Sequence, residues 1–322
     1  MRTRTRAVAR RAIVTALLVC VYLVAPLRMS AYQLYLLDLA CVYVMLAVGL
    51  NIVMGVARQF ALASAGFFGI GAYTMVLLVV KANWPFAASV VAGTLVASVA
   101  AALVSLAAWR VSGLYLAMVT FGFGEIVQFV LVHWDAVTKG PDGLSVPRPV
   151  LGTMVLEDER QIFWLYVPIV AAASIAAYRV LSGRLGRTLT ALGDSEIALG
   201  ALGLHGAYYK TVAFALSGAY AGAAGGMFAV LVGFIDPYTF GLSETLLHLT
   251  MIAIGGFGSL AGAIVGGIGL TLVSDLLRRV PGLQEIIYGV ILLAVFIFCP
   301  NGLASLVPWS RHREEAPGGR VS

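Results

Sequence analysis

GRLGRTLTALGDSEIALGALGLHGAYYK, from Gly183 to Lys210, is the one long polar island in a chain that otherwise alternates apolar runs with short turns. Apolar segments long enough to cross a bilayer flank it on both sides, and Arg179, Arg184, Arg187 and Lys210 stand at its edges. By the positive-inside rule these cations place it on the cytoplasmic face. Helix formers run from Thr188 to Ala201, with Leu189, Leu192, Ile197 and Leu199 as an apolar side, interrupted by Gly193, Asp194, Ser195 and Glu196. One or two short amphipathic helices are expected, offered to a soluble partner; a solvated surface loop is the plainer reading of the same pattern.

Outward from the island the chain is built for lipid. Of 322 residues, 61% are hydrophobic and 11% charged, against roughly 25% charged in soluble domains. The net charge of +6 comes mainly from terminal and loop arginines, which suits anionic lipid, and no aromatic-interleaved basic patch points to nucleic acid. Cys20, Cys41 and Cys299 fall singly in apolar runs and read as reduced packing residues.

At 1.5 Å per residue, about 20 residues cross the hydrocarbon core. Spans are expected near 12–29, 33–55, 60–80, 84–108, 112–133 and 162–180 before the island, and near 211–234, 244–277 and 284–300 after it. The stretch 244–277 is too long for one ordinary span, and Gly255, Gly256, Gly258 and Gly262 would break it in two. The fold class is therefore all-α: a polytopic membrane helix bundle of about ten transmembrane helices with broken or short segments. Counting loop cations does not choose between one crossing and two for 244–277. The expected organisation is a basic cytoplasmic N-terminus at 1–11, a transmembrane domain at 12–303 containing the island, and a polar tail at 304–322. The apolar run after the N-terminal arginines reads as an uncleaved span, because Pro26-Leu27-Arg28-Met29 is a poor cleavage site. The loop from His133 to Arg160 carries Gly140-Pro141-Asp142-Gly143 and Pro147-Arg148-Pro149, turn chemistry that predicts an ordered external loop on which a soluble partner could rest.

Glycines mark how the helices meet. Gly218, Gly222 and Gly226, and again Gly258, Gly262 and Gly266, recur every four residues and read as small-residue ridges for close helix contact. Gly66, Gly69 and Gly71, with Gly122 and Gly124, are candidates for unwound backbone beside a pathway. The candidate pathway set is Gln59, Gly69, Gly71, Thr120, Gly122, Gly124 and Glu125. Glu125 is the deepest ionisable group within a span, where a charge is costly. Asp38, near a span end, reads as interfacial, Asp275 as the partner of Arg278 and Arg279 along one helix, and His248 as a packed, satisfied histidine.

Motifs of catalysis are absent from the sequence. It has no GxxxxGK[ST] phosphate loop, no HExxH, no Cys/His cluster for a metal and no GxSxG; Gly256 to Ala261 fits only the loosest dinucleotide pattern and has no strand before it. Neither enzyme activity, metal nor cofactor is expected.

Several motifs in order resemble one family. NIVMGVARQFALASAGFFGIGAY (51–73), SGLYLAMVTFGFGEIV (112–127), the island, AFALSGAYAGAAGGMFA (213–229), GFIDPYTFGLSETLLHLTMIAIGGFGSLAGAIVGG (233–267) and FCPNGL (298–303) look like the membrane permease subunit of branched-chain amino-acid ABC importers, the LivM/LivH type. The resemblance implies a permease in the cell inner membrane, partnered by two cytosolic ABC ATPase subunits, a second homologous permease (or a homodimer partner) and an extracytoplasmic solute-binding protein. It also implies that the island is the ATPase-coupling segment, with Arg184, Gly186, Arg187, Asp194, Ser195, Glu196, Gly203 and Lys210 fitting its pattern. Arg58 and Ser64 depart from the family's GQLSLGHA, and Lys139 stands where the family favours glycine. A permease for urea, short amides or another small solute, and a secondary transporter using Glu125, are the alternatives.

Overall fold

In a bilayer the backbone must satisfy its own polar groups, and a chain this apolar does so as helices. The computed structural model describes residues 28–151, 154–155 and 158–277, together with Pro26 and positions 286–287, 289–290 and 293. Helix α1 is Ala31–Leu50, opened by a capping box in which Ser30 and Gln33 exchange hydrogen bonds and continued by the π-helical turns Asn51–Val56. There follow α2 Ser64–Ala82, α3 Phe86–Ala107, α4 Leu114–His133, the short α5 Asp135–Thr138 and α6 Glu159–Ser182. The island forms α7 Arg184–Asp194 and α8 Glu196–Ala201, and the chain continues as α9 Gly206–Val232, α10 Leu242–Gly255 and α11 Leu260–Leu277. Among the described residues six helices are long and apolar enough to cross a membrane: α1 with its extension, α2, α3, α4, α6 and α9.

These six coincide with expected spans to within a few residues. Between α1 and α2, however, Ala57–Ala63 is non-helical, so the span expected from 60 begins at Ser64. The expected spans at 12–29 and 284–300 fall largely outside the described residues, as do the tails, Cys20, Cys299, Arg278, Arg279 and the closing FCPNGL. Cys41 is a free thiol, half-buried.

The stretch 244–277 breaks where the glycines predict. Helix α10 ends at Gly255, Gly256 and Gly258 take positive φ, and α11 starts at Leu260. The two helices run antiparallel, with Gly255 against Gly262 and Met251 against Gly266. At the tip, the Gly258 N–H donates to Asn51 Oδ1 at 2.9 Å, and at the other end Tyr32 donates its hydroxyl to Asp275. The tip therefore lies at the Asn51 end of α1 and the close of α11 at its Tyr32 end, so 244–277 is a hairpin of two short helices and not one continuous helix.

Contacts at the helix ends sort into two sets. Gly193 meets Val56, and Lys210 reaches Val111 O at the island end. Lys81 donates to Ala136 O (2.9 Å) at the far end, where β1 (Leu144–Ser145) pairs antiparallel with β4 (Phe234–Ile235). The loop from His133 to Arg160 is accordingly ordered by α5, by a 3-10 turn at Gly140–Asp142 and by a small hairpin of β2 (Val150–Leu151) with β3 (Met154–Val155). From there Pro237–Phe240 dips inward, setting Phe240 against Gly69 and among Phe68 and Tyr73.

In the first glycine ridge Gly218 and Gly222 lie on Ala101 and Ala97 of α3 and Gly71 of α2 meets the backbone of Gly222, while Gly226 makes only ordinary contacts with Val90 and Met75. In the second ridge Gly262 and Gly266 join α11 to α10, but Gly258 sits in the connecting turn. Gly66, Gly69, Gly71, Gly122 and Gly124 are all inside regular helix, so the unwound backbone is at 57–63 and 256–259 instead. Asp38 is fully buried where α6 packs along the first turns of α1, and is not interfacial. Among the described residues neither of its carboxylate oxygens has a hydrogen-bond partner.

Gly71→Leu should drive α2 off α9 and lower stability by about 3 kcal/mol or more, whereas Gly122→Ala, which meets nothing within 4 Å, should stay within about 0.5 kcal/mol of wild type. Thermal unfolding of the detergent-purified chain distinguishes the two.

Candidate functional site

Two regions hold the sequence-derived candidates, the island at one end of the bundle and the face of α4 at mid-height. A tight turn starts the island: a Cβ on Gly186 would collide with the carbonyl of Leu181, so only glycine lets α7 fold back beneath α6. Of the one or two short helices expected in the island there are two, α7 and α8, broken at Ser195. There the backbone becomes extended and the Ser195 hydroxyl accepts from the Ala198 N–H at 3.2 Å, capping α8. Gly203 exits α8 with φ of +78°, a conformation that favours glycine.

Leu189, Leu192 and Leu199 turn inward and are buried, which fixes both helices on the bundle. Two ion pairs add direction. Asp194 Oδ1 lies 2.8 Å from Arg58 Nη1, with both side chains more than half exposed. Glu196 Oε2 lies 2.7 Å from Lys210 Nζ, whose side chain is 3% exposed and also approaches Val111 O at 3.4 Å. Lys210 thus ties α8, α9 and the α3–α4 turn together. The two carboxylates of the island are spent within the chain, on the ends of α1 and α9. Arg184 and Arg187 stay on α7, with Arg184 O accepting from Thr188.

Beside exposed Arg184, Arg187 and Asp194, the island also turns apolar side chains outward. Ile197 is 88% and Leu202 76% exposed, more than any other large hydrophobic described, and Tyr208 is exposed too. A shallow pocket of about 320 Å³, lined by Gly203, Leu204, His205, Tyr208 and Tyr209, adjoins them.

On α4 the candidates separate. Thr120 is buried and accepts from the Leu62 N–H at 3.0 Å, and buried Gln59 donates to Ala57 O at 2.9 Å, so both secure the non-helical segment before α2. Gly124 rests near Leu62 and Ala63, and Gly69 and Gly71 lie in helix contacts. Only Gly122 and Glu125 reach the open face. That face reads Tyr115, Met118, Val119, Gly122, Glu125, Ile126, Phe129 and Val130, a helical stripe in which Glu125 is the one formal charge. It lies eleven residues from one end of α4 and eight from the other, a depth at which lipid exposure of a carboxylate costs at least about 2.5–3.5 kcal/mol. A groove of about 640 Å³ opens there, with Gln128, His133 and Tyr238 as its other polar lining.

Sequence reading misses one cluster. Ser64 Oγ lies 3.1 Å from His248 Nδ1, and Tyr43 donates its hydroxyl to Glu244 Oε1 at 3.3 Å. His248 Nε2 is 3.3 Å from that same carboxylate oxygen but is not aligned to bond it. The cluster joins α1, α2 and α10 in the buried interior. Ser64, a departure from the family pattern, was the available signal. Among the described residues no group of three or more metal-ligating side chains converges.

Similarity to known proteins agrees with this architecture. Residues 32–299 match the family described as branched-chain amino acid transport system, permease component. The high-affinity branched-chain amino acid transport system permease protein LivM of Salmonella typhimurium is 31% identical over 92% of this chain and 75% of its own. LivM of Escherichia coli is 32% identical over 86% of this chain and 71% of its own. The autoinducer 2 import system permease protein LsrC of Escherichia coli is 29% identical over 63% of each. No solved structure matches. With its polytopic bundle, its folded polar island and a family match spanning nearly all the described residues, the chain belongs to the family of branched-chain amino acid transport system permease components.

Proposed function

We propose that this chain is the transmembrane permease subunit of an ATP-driven importer in the cell inner membrane, carrying branched-chain amino acids. It works beside a second homologous permease or a second copy of itself, two cytosolic ATPases and an extracytoplasmic solute-binding protein. The observation that carries the reading is a family match over residues 32–299 that takes in the island. The arginine-edged island faces the cytoplasm, and the far end, with its ordered loop at 134–158, faces the binding protein.

The island is the coupling segment. Its exposed aliphatic edge, Ile197 and Leu202, lies outside the spanning helices and makes the contact with the ATPase, since apolar side chains exposed to water favour burial against a partner. Asp194 and Glu196 act from behind, holding α7 and α8 to Arg58 and Lys210. Closure of the ATPase pair displaces α8, and the motion reaches α1 through Gly193 on Val56 and α9 through Lys210. Rigid helices then rock so that the pathway along α4 opens alternately to each side. The chain supplies the route and the lever and carries no catalysis of its own.

The resemblance to LsrC, whose name states autoinducer 2 import, favours keeping a broader class of small solutes as a second reading.

Three outcomes test the proposal. ATP-dependent uptake of leucine, isoleucine and valine by the assembled complex in vesicles is expected; if none enters with ATP, the importer reading for these solutes fails. Ile197→Asp with Leu202→Asp should cut co-purification of the ATPases about tenfold or more and leave thermal unfolding of the permease unchanged. Asp194→Asn should cost about 1 kcal/mol or less, while Glu196→Gln, which strands buried Lys210, should cost roughly 2–3 kcal/mol. Trypsin cleavage at Arg184 and Arg187 should accelerate accordingly. If either acidic variant releases the ATPases with cleavage unchanged, the carboxylates touch the ATPase directly.

A further inference from the structure

We propose that Glu125 recognises the ammonium group of the transported solute, making the α4 groove selective for a cation-bearing small molecule. This rests on the importer reading and adds the residue that chooses the solute class.

Among the described residues Glu125 has no salt-bridge partner. Of the groove's other polar lining, His133 is engaged elsewhere: its Nδ1 lies 2.9 Å from Phe129 O and its ring stacks on Phe129. Glu125 is thus an uncompensated carboxylate at mid-height in an apolar helix, aimed into a groove that this chain leaves open. A charge so placed calls for a cation or water rather than lipid.

The surroundings narrow the ligand. The groove, about 640 Å³, is in the range for small-molecule sites. Ile126 and Phe129 supply apolar wall beside the carboxylate and Gln128 a neutral amide. One turn away, Gly122 has nothing within 4 Å of where a side chain would begin, so solute can pass. The opposite side of α4 is fixed, by Gly66 against Gly124 and by the Leu62 bond to Thr120, so the carboxylate is held on a rigid element. An ammonium beside a short branched aliphatic group matches this lining: the cation meets Glu125 and the hydrocarbon meets Ile126 and Phe129. An uncharged solute would leave the carboxylate without a counter-charge.

The test is ATP-driven leucine uptake in vesicles by the full complex carrying wild type, Glu125→Gln or Glu125→Asp, with co-purification of both permease subunits and the ATPases measured alongside. Gln keeps the shape and loses the charge; Asp keeps the charge and shortens the reach. Recognition by charge predicts uptake by Glu125→Asp within about threefold of wild type and by Glu125→Gln reduced about tenfold or more, with assembly intact. Glu125→Gln transporting as well as wild type, or better than Glu125→Asp, overturns the proposal. Loss of the second permease subunit from Glu125→Gln overturns it too, in favour of an ion pair between subunits. If wild type moves no leucine, the importer reading falls first and this inference with it; if wild type moves leucine and Glu125→Gln is indifferent, only the inference falls.

Discussion

Backbone-to-backbone contact where α9 crosses α2 and α3 sets the spacing of the bundle. Lipid offers helices little hydrophobic reward for associating, so close van der Waals packing must supply it, and small residues permit that closeness. Gly71 meets Gly222, Gly225 meets the Phe68 carbonyl, and Gly218 and Gly222 lie on the alanines of α3. With α9 as central post, α1 lies against it through Gly49 at Tyr220, and the α10–α11 hairpin lies against α1 through Gly267 at Val44. Substituting any of these glycines would push apart helices that neighbouring contacts also position. The unpaired surfaces of α3, α4 and α6 are left outermost, and among them the stripe of α4 is set apart by a charge.

The π-helical end of α1 links the two regions with proposed roles. Asn51 and Gly55 meet the tip of the α10–α11 hairpin at Gly258, while Val56 and Ala57, immediately after, meet Gly193 of the island. A π-turn is a weaker, adjustable piece of helix often found at functional sites. Here six residues touch the lever on one side and the broken helices on the other. Displacement of α7 therefore bears on the hairpin through a single short segment of backbone. The Ser64–His248 contact and the Tyr43–Glu244 bond fasten the same hairpin higher up, so movement of the tip would be accommodated as bending of α10 and α11 relative to that anchor.

The positions of the six described spans and the break in 244–277 were legible because each depends on local composition: apolar length, turn residues, a run of glycines. The island was legible for the same reason. Roles that depend on tertiary partners were not. Asp38 looks interfacial by its distance from a span end, yet α6 covers it, and nothing in the local sequence of α1 specifies that. Nothing in the local sequence of Asp194 and Glu196 shows that Arg58 and Lys210 pair with them from elsewhere in the chain. Glycines at 66–71 and 122–124 look suited to unwound backbone, whereas all lie in regular helix, with Gly66, Gly69 and Gly71 serving as small residues at close contacts and Gly122 facing open space. Of the seven pathway candidates only Gly122 and Glu125 lie on the open face of α4, and only Glu125 lines the groove. The face of α4 to which a residue belongs follows from periodicity, but which face stays open follows only from what packs against it.

Departures from the family pattern have physical content once the backbone is known. Arg58 and Lys139, both at positions where the family favours glycine, have φ of +50° and +60°, and they are two of the three described non-glycine residues with positive φ. Glycine enters that region freely, while a residue with a Cβ is strained there by roughly 1–2 kcal/mol. At Lys139 no side-chain hydrogen bond or ion pair among the described residues offsets the strain. At Arg58 the side chain pairs with Asp194, but an exposed ion pair returns only about 0–1 kcal/mol, so the exchange costs stability on balance. What Arg58 adds is directional: it fastens the end of α7 to the end of α1, at the point where, under the proposed coupling role, motion of the island would enter the bundle. A small loss of stability at this junction is tolerable if a fixed tether there transmits displacement that a glycine, with no side chain to reach Asp194, would leave to packing alone.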